Sequence, residues 1–155
     1  MDYAERRVLN LTLPLQIKGD YIELKSSWTK GGIRRIIPIT NKEQRICLNE
    51  IKKICGNESL IPEEKSFIEQ RNLYDRLTHN AGLYNLHGFR HAYAQRRYLE
   101  LTAQFSKTNG WRSSLDGGKA HNKLNNYEKE IDLKVRAIIA NELGHSRVSI
   151  SKIYV

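Results

Sequence analysis

The chain has 155 residues, the size of one ordinary domain with its own hydrophobic core. It carries 26 Lys and Arg against 17 Asp and Glu, a formal net charge of +9, which predicts a polyanionic partner, nucleic acid before membrane. Cys47 and Cys55 have neither the spacing of a metal knuckle nor a disulfide framework, so both are predicted to be small core residues in a reducing cytoplasm. No apolar run is long enough to span a bilayer, and no signal peptide is expected.

The first elements along the chain predict a small antiparallel sheet. Met1–Leu13 is predicted to hold the end of a helix and a short apolar segment. Tyr21–Lys25 alternates apolar and polar residues as a half-buried strand does. Ser26–Gly32 is a predicted turn, and Ile33–Ile39 is a predicted second strand. Because Pro38 cannot donate a ladder hydrogen bond, the hairpin is expected at a sheet edge.

Two helices are predicted next. The first covers Asn41–Cys55, with Thr40 or Asn41 as its cap and Gly56 as its stop, and the second covers Pro62–Asn80. The side chains predicted to face inward are Cys47, Ile51, Ile54 and Cys55 on the first helix, and Phe67, Leu73, Tyr74 and Leu77 on the second.

The second half of the chain predicts two further helices separated by a loop. A helix is expected from His87 to about Gln104. The segment 107–126 is rich in Gly, Ser, Asn and Lys and is predicted to be a long exposed loop, in which Trp111 either touches DNA or anchors the loop on the core. The last helix starts at Glu128 and ends at Gly144, with Ile131, Val135, Ile138, Ile139 and Leu143 at core spacing. The predicted fold class is therefore α+β, mostly helical, with one small antiparallel sheet near the N-terminus.

Two short segments carry candidate chemistry. In L-H-G-F-R-H-A-Y, His87 stands three residues before Arg90 at the head of a predicted helix, so both side chains point the same way. An arginine fork binds two phosphate oxygens at once, and a histidine is a second donor. In L-G-H-S-R-V-S-I-S-K-I-Y, His145 stands nine residues before Tyr154.

Together and in this order, the two segments resemble the catalytic domain of tyrosine recombinases, the phage-integrase family. The phrases S-W-T-K-G-G and H-A-Y-A-Q-R-R-Y are similar to an integrase subgroup of mobile genetic elements, and the resemblance extends from Asn10 to Val155. It implies that residues 1–155 form one integrase-like catalytic domain. The implied partner is double-stranded DNA, with self-association on DNA, no membrane, and no metal or small-molecule cofactor.

The resemblance also implies a role for each matching residue. Tyr154 matches the nucleophile, Arg90 the second phosphate-clamping arginine, and His87 the histidine before it. His145 matches the histidine that donates to the phosphate, and Lys30, eight residues before a proline, matches the general acid. The arginines assigned to DNA contacts are Arg34, Arg35, Arg96, Arg97 and Arg147.

The sequence departs from the family at its beginning. Counting back from the apolar N-L-T-L phrase places Ala4 where the family has its first clamping arginine, so Arg6 or Arg7 replaces it only if the register slips. No N-terminal DNA-clamping domain is recognised. These departures favour a second interpretation, a catalytically impaired DNA-binding remnant or fragment of an integrase.

Two further expectations follow from the same residues. His87, His91 and His145 could serve a metal nuclease, although no acidic ligand phrase accompanies them, and His91 is interpreted as a packing or supporting residue. Tyr154 is predicted to be mobile or displaced from the basic pocket, because few apolar residues hold the segment that carries it.

Overall fold

The computed structural model of the chain describes residues 17–29, 32–56 and 59–155. The predicted helix within Met1–Leu13, the candidate arginines Arg6 and Arg7, and Lys30 lie outside these ranges. Contacts group the chain into two compact units, residues 1–84 and 85–155, and each unit is described by itself. The single domain proposed from the sequence stays a prediction.

The described part of the first unit begins with a three-stranded antiparallel sheet. Strand β1 is Ile17–Lys18, β2 is Tyr21–Leu24 and β3 is Arg35–Pro38, in the order β1-β2-β3. Ile22 pairs with Ile17 on one side and with Ile37 on the other. The predicted hairpin is confirmed, with Pro38 on the edge strand β3. Strand β1 was missed, because two residues are too short for a periodic signal.

Two helices follow the sheet, and both begin at a side-chain cap. Helix α1 is Lys42–Cys55, where the Asn41 side chain accepts a hydrogen bond from the Gln44 amide, and it ends at Gly56 as predicted. Helix α2 is Phe67–Asn80 and starts five residues later than predicted. The reason is a capping box, in which Ser66 and Glu69 each bond the other's backbone amide.

The predicted buried faces of these two helices are wrong at several positions. Cys47 is exposed and Ile54 is 85% exposed, so the expectation that Cys47 is a core residue fails. Tyr74 and Leu77 of α2 are also exposed. Neither helix has a buried residue among those that the structure describes. The half-buried positions of α1 recur every three or four residues along one stripe, namely Gln44, Arg45, Leu48, Ile51 and Cys55.

The second unit is built on two antiparallel helices, α3 (Gly88–Ser106) and α4 (Asn126–Leu143). The polarity follows from the contacts, since Arg90 at the start of α3 bonds Leu143 at the end of α4, whereas Tyr98 bonds Asp132 further back. Both predicted helices are confirmed. The core formed by these helices and the last two residues contains Ala94, Tyr98, Leu101, Ile131, Val135, Ile139, Leu143, Tyr154 and Val155.

The predicted long loop connects α3 to α4 and is fastened to the core. It contains two 3-10 helices, Ser114–Asp116 and His121–Lys123. Trp111 packs against the core cluster, which is the second of the two roles predicted for it. The Thr102 hydroxyl donates to the Trp111 carbonyl (3.0 Å) and accepts from the Trp111 amide (3.1 Å). Within the described ranges, no helix combines the length and apolar character needed to cross a membrane.

Candidate active site

The first turn of α3 presents three candidate site residues on one side. His87 is the N-cap position and makes no side-chain cap hydrogen bond, so its ring is available for other contacts. Arg90 and His91 follow at spacings of three and four residues, which places them on the same helix face as His87. The rings of His87 and His91 meet edge to face, with centroids 5.5 Å apart.

The end of α4 brings His145 to Arg90. Gly144 adopts a left-handed conformation (φ 76°), which ends the helix and turns the chain back, so that the His145 amide bonds the Ala140 carbonyl at 2.8 Å. Arg90 Nη2 donates to the Leu143 carbonyl at 2.8 Å and lies 3.5 Å from His145 Nε2. The cation thus sits at the negative end of the helix dipole, where it is favoured.

Tyr154 completes the arrangement. It follows a 3-10 helix, Val148–Ile153, and its amide bonds the Ser151 carbonyl at 2.9 Å. The residue is 4% exposed, and its hydroxyl lies 3.2 Å from His87 Nε2, within hydrogen-bonding distance. The prediction that Tyr154 is displaced from the basic pocket is therefore wrong.

The Tyr154 ring lies close to the three histidines and the arginine described above. The ring centroid is 4.7 Å from that of His91, 5.5 Å from that of His145 and 5.9 Å from that of His87. Arg90 Cζ lies 5.8 Å from the same centroid. We call His87, Arg90, His91, His145 and Tyr154 the site cluster. It joins residues up to 67 positions apart, and four of its members were predicted as catalytic from the sequence.

The site cluster combines the groups that nucleophilic chemistry at a phosphate requires. A tyrosine hydroxyl is a group that can act as a nucleophile, and a histidine nitrogen, His87 Nε2, lies within hydrogen-bonding distance of the Tyr154 hydroxyl. Arg90 supplies a permanent positive charge next to the phenol. Its Nε is buried and meets no hydrogen-bond acceptor among the described residues, so within this part of the chain Arg90 keeps one donor that is not engaged.

A second polar group, which was not predicted from the sequence, is linked to the residue that follows Tyr154. The Asp132 carboxylate is fully buried and accepts hydrogen bonds from Arg136 Nε (2.9 Å to each oxygen), from His121 Nδ1 (2.8 Å) and from the Tyr98 hydroxyl. Arg136 Nη1 in turn donates to the main-chain oxygen of Val155. We call Tyr98, His121, Asp132 and Arg136 the Asp132 network.

The electrostatics of this network keep Asp132 charged. Burial pushes the pKa of Asp132 upward, but the hydrogen bonds from Arg136 and Tyr98 outweigh burial and lower this pKa below its ordinary value. Burial, together with the hydrogen bond to Asp132, raises the pKa of Tyr98. The sequence did contain a signal for the network, because Asp132 and Arg136 are four apart and sit beside the apolar positions that face the core.

A cavity of about 330 Å³ opens beside the Asp132 network. Asp132 and Arg136 line it together with residues of the loop, of α4 and of the last segment, namely Ser114, His121, Leu133, Lys152 and Val155. The network is therefore reachable from one side, which agrees with the 52% exposure of the His121 side chain.

A third polar group connects the first half of α3 to the end of α4. Glu142 is buried and accepts a hydrogen bond from the Tyr93 hydroxyl at 2.8 Å. It also forms an ion pair with Arg97 Nη2 at 3.1 Å. Burial and the neighbouring Glu142 carboxylate raise the pKa of Tyr93. Arg97 was assigned to DNA contacts, but its side chain is only 15% exposed and is engaged by Glu142, so the structure gives it an internal role.

The other arginines assigned to DNA contacts are distributed over both units. Arg34 pairs with Glu23 at 2.7 Å, and Arg35 is half-buried in β3. Arg96 pairs loosely with Glu100 at 3.6 Å and is half exposed. Arg147 is exposed and follows His145 of the site cluster by two residues in the sequence. Their assignment to DNA stays a prediction.

Comparison of the chain with models of known families, with characterised proteins and with solved structures finds no match. The described residues contain no group of three or more His, Cys, Asp or Glu side chains placed to hold a metal ion. A functional assignment therefore depends on the geometry of the site cluster and on the sequence motifs.

Proposed function

We propose that the chain is a tyrosine recombinase of a mobile genetic element, which cleaves and rejoins DNA in the cytoplasm through a covalent 3′-phosphotyrosyl intermediate on Tyr154. The observation that carries this proposal is the 3.2 Å distance between the Tyr154 hydroxyl and His87 Nε2, with Arg90 and His145 against the same ring. The fold that we propose with it is the catalytic domain of that family.

The proposed step exchanges one phosphoester bond for another. The Tyr154 oxygen attacks the phosphorus of a DNA phosphodiester while its proton passes to His87, which is placed to accept it. The bond from phosphorus to the 5′ oxygen breaks, and this oxygen leaves as a hydroxyl after gaining a proton. Lys30 is the proton donor expected from the sequence. Because a phosphoester forms as another breaks, a 5′-hydroxyl can reverse the step without an external energy source.

Charge is the other requirement of this reaction. The phosphorane-like transition state concentrates negative charge on the non-bridging oxygens, and positioned cations and donors stabilise it. Arg90 is held by the Leu143 carbonyl and, among the described residues, its Nε has no acceptor, and His145 lies beside it. The net charge of +9 favours approach of DNA in general.

A nicked suicide substrate tests the proposal, since loss of a short strand end traps the covalent adduct. We expect wild type to form an adduct that survives denaturing electrophoresis and is unaffected by chelator, and we expect Tyr154→Phe to form none. The matched control is Tyr127→Phe, which removes an exposed phenol (57% exposed) and should leave the adduct unchanged. His87→Ala should slow adduct formation by about a hundredfold or more, the usual cost of losing a general base.

An adduct that persists in Tyr154→Phe would overturn the role of Tyr154. Salt-sensitive DNA binding by wild type with no adduct on any nicked substrate would instead support the other interpretation, a DNA-binding remnant without turnover. Adduct formation that disappears on adding chelator would contradict the metal-independent mechanism.

A further inference from the structure

We infer that Arg136 and Asp132 are positioning residues, which fix Tyr154 in the site cluster by holding the main chain of the next residue. The inference deepens the proposed function, because its consequence for catalysis depends on Tyr154 being the nucleophile. Neither residue belongs to the site cluster itself. Arg136 acts through the main-chain oxygen of Val155, to which its Nη1 donates.

The need for such an anchor follows from the local structure of the segment. The regular element that precedes Tyr154 is a 3-10 helix of six residues, Val148–Ile153, and helices of this type are short and weakly held. Ile153 is 61% exposed and so adds little packing. The Tyr154 and Val155 amides both bond the Ser151 carbonyl (2.9 and 3.0 Å), which closes one turn, and both residues pack in the core with α3 and α4. Such apolar packing is not directional, so polar contacts are needed to fix the orientation of the phenol.

The Asp132 network adds a directional contact to this packing. Arg136 is largely buried on α4, and the carboxylate of Asp132, one turn away on the same helix, fixes its guanidinium through both oxygens. Tyr98 of α3 and His121 of the loop hold Asp132 in turn. A rigid chain of hydrogen bonds therefore runs from three separate elements to Val155.

The position of Tyr154 then depends on two contacts, one at its hydroxyl and one at the main chain of the next residue. The hydroxyl faces His87 on one side, whereas the main chain that follows is held by Arg136 on the other. A phenol that attacks in line must be held close to its phosphate, and misplacement by about 1 Å costs on the order of a hundredfold in rate. Loosening Val155 should therefore reduce the reaction without removing any group of the site cluster.

Two readouts test this inference on the full chain. The first is nitration of Tyr154 by tetranitromethane without DNA, followed by peptide mass spectrometry, with the exposed Tyr127 as internal reference. We expect Tyr154 to be protected in wild type and to react nearly as fast as Tyr127 in Arg136→Gln. The second is the rate of adduct formation on the nicked substrate at saturating DNA, expected to fall by about a hundredfold in the same variant.

Matched variants separate positioning from a loss of folding or charge. Lys134→Gln removes one positive charge from the same helix, where Lys134 lies over the Phe105 ring, and should behave as wild type in both assays. Arg136→Lys keeps the charge and one donor and should give intermediate protection and rate. Should Arg136→Gln fail to fold, His121→Ala removes a half-exposed member of the network and should still raise Tyr154 nitration above the Lys134→Gln level.

The inference is overturned if Tyr154 is as well protected from nitration in folded Arg136→Gln as in wild type. If that variant does not fold, wild-type protection of Tyr154 in both single variants, Arg136→Lys and His121→Ala, overturns it. Because nitration is measured without DNA, it is independent of the reaction. Failure of wild type to form any adduct would refute the proposed function. The nitration rates would still test whether Arg136 fixes the position of Tyr154.

Discussion

The two helix pairs of the chain differ in what they bury. Helices α1 and α2 are each 14 residues long and well capped, yet the structure describes no buried residue in either. Helices α3 and α4 bury four and eight residues, including the charged Asp132, Arg136 and Glu142. Good caps thus define a helix locally, whereas burial and a functional arrangement of polar groups need a second element at the right distance.

The two units also use charge in different ways. In the first unit, each described ion pair has at least one exposed partner, and in Lys53–Glu50 both partners are exposed, where such pairs contribute little. In the second unit, Asp132 and Glu142 are buried, and each has several partners that offset the cost of removing it from water. The polar groups of the second unit therefore fix geometry, and this is the unit that contains the site cluster.

The largest difference in stability between the two helix pairs should come from truncating an apolar side chain. Ile139→Ala removes a fully buried side chain of α4 and should lower the free energy of unfolding by about 3 kcal/mol. Ile54→Ala, the matched change at an 85% exposed position of α1, should change it by less than about 0.5 kcal/mol. Urea denaturation followed by circular dichroism measures both. Equal effects would show that α1 is covered in solution by a surface that the described contacts do not include.

The buried charges should give an effect of intermediate size. Glu142→Gln weakens the hydrogen bonds to Tyr93 and Arg97 and leaves a partly buried arginine without its anionic partner, so we expect a loss of about 2 kcal/mol. Glu50→Gln makes the same change in the exposed pair with Lys53 and should cost well under about 1 kcal/mol. Denaturation in low and high salt gives the two values, and only the Glu50 effect should shrink as salt rises. A Glu142→Gln variant as stable as wild type would refute a stabilising role for this group.

The helix caps, which both units share, should give the smallest change. Ser66 caps α2 and Asn125 caps α4 through the same capping box, with Glu69 and Glu128 as the partners. Ser66→Ala and Asn125→Ala should each cost about 1 kcal/mol of helix stability. Amide hydrogen exchange in the first turn of each helix would detect the loss. A much larger effect at Asn125 than at Ser66 would mean that burial, and not the cap, starts α4.

Local signals explain most of what the sequence predicted. Asn41 and Gly56 bound α1, and Gly144 ends α4, as their residue types required. The shared helix face of His87 and Arg90 was likewise predictable from their spacing, whereas the approach of His145, 55 residues from Arg90, was implied only by the family resemblance. These features depend on a few neighbouring residues, so a single sequence carries them.

The wrong predictions concern partners distant in sequence. Cys47 and Tyr74 were placed inward by periodicity alone, but periodicity does not say whether another element covers that face. Tyr154 was expected to be displaced, because its own segment is short of apolar anchors. Tyr154 and Val155 instead pack in the core, and Arg136, 19 residues from Val155, donates to the main-chain oxygen of Val155. No local pattern reveals these contacts.

The cavity beside Arg136 has a practical consequence for control of the protein. Truncation to Arg136→Ala would enlarge a space that already opens to solvent and is lined by Asp132, which remains in need of a cation. A small guanidinium compound has the shape and charge of the group that was removed. Added to the solution, it would restore the missing donors and return the phenol to its place, so that the nucleophile of the proposed DNA cleavage would be switched on and off by an additive that never touches the DNA.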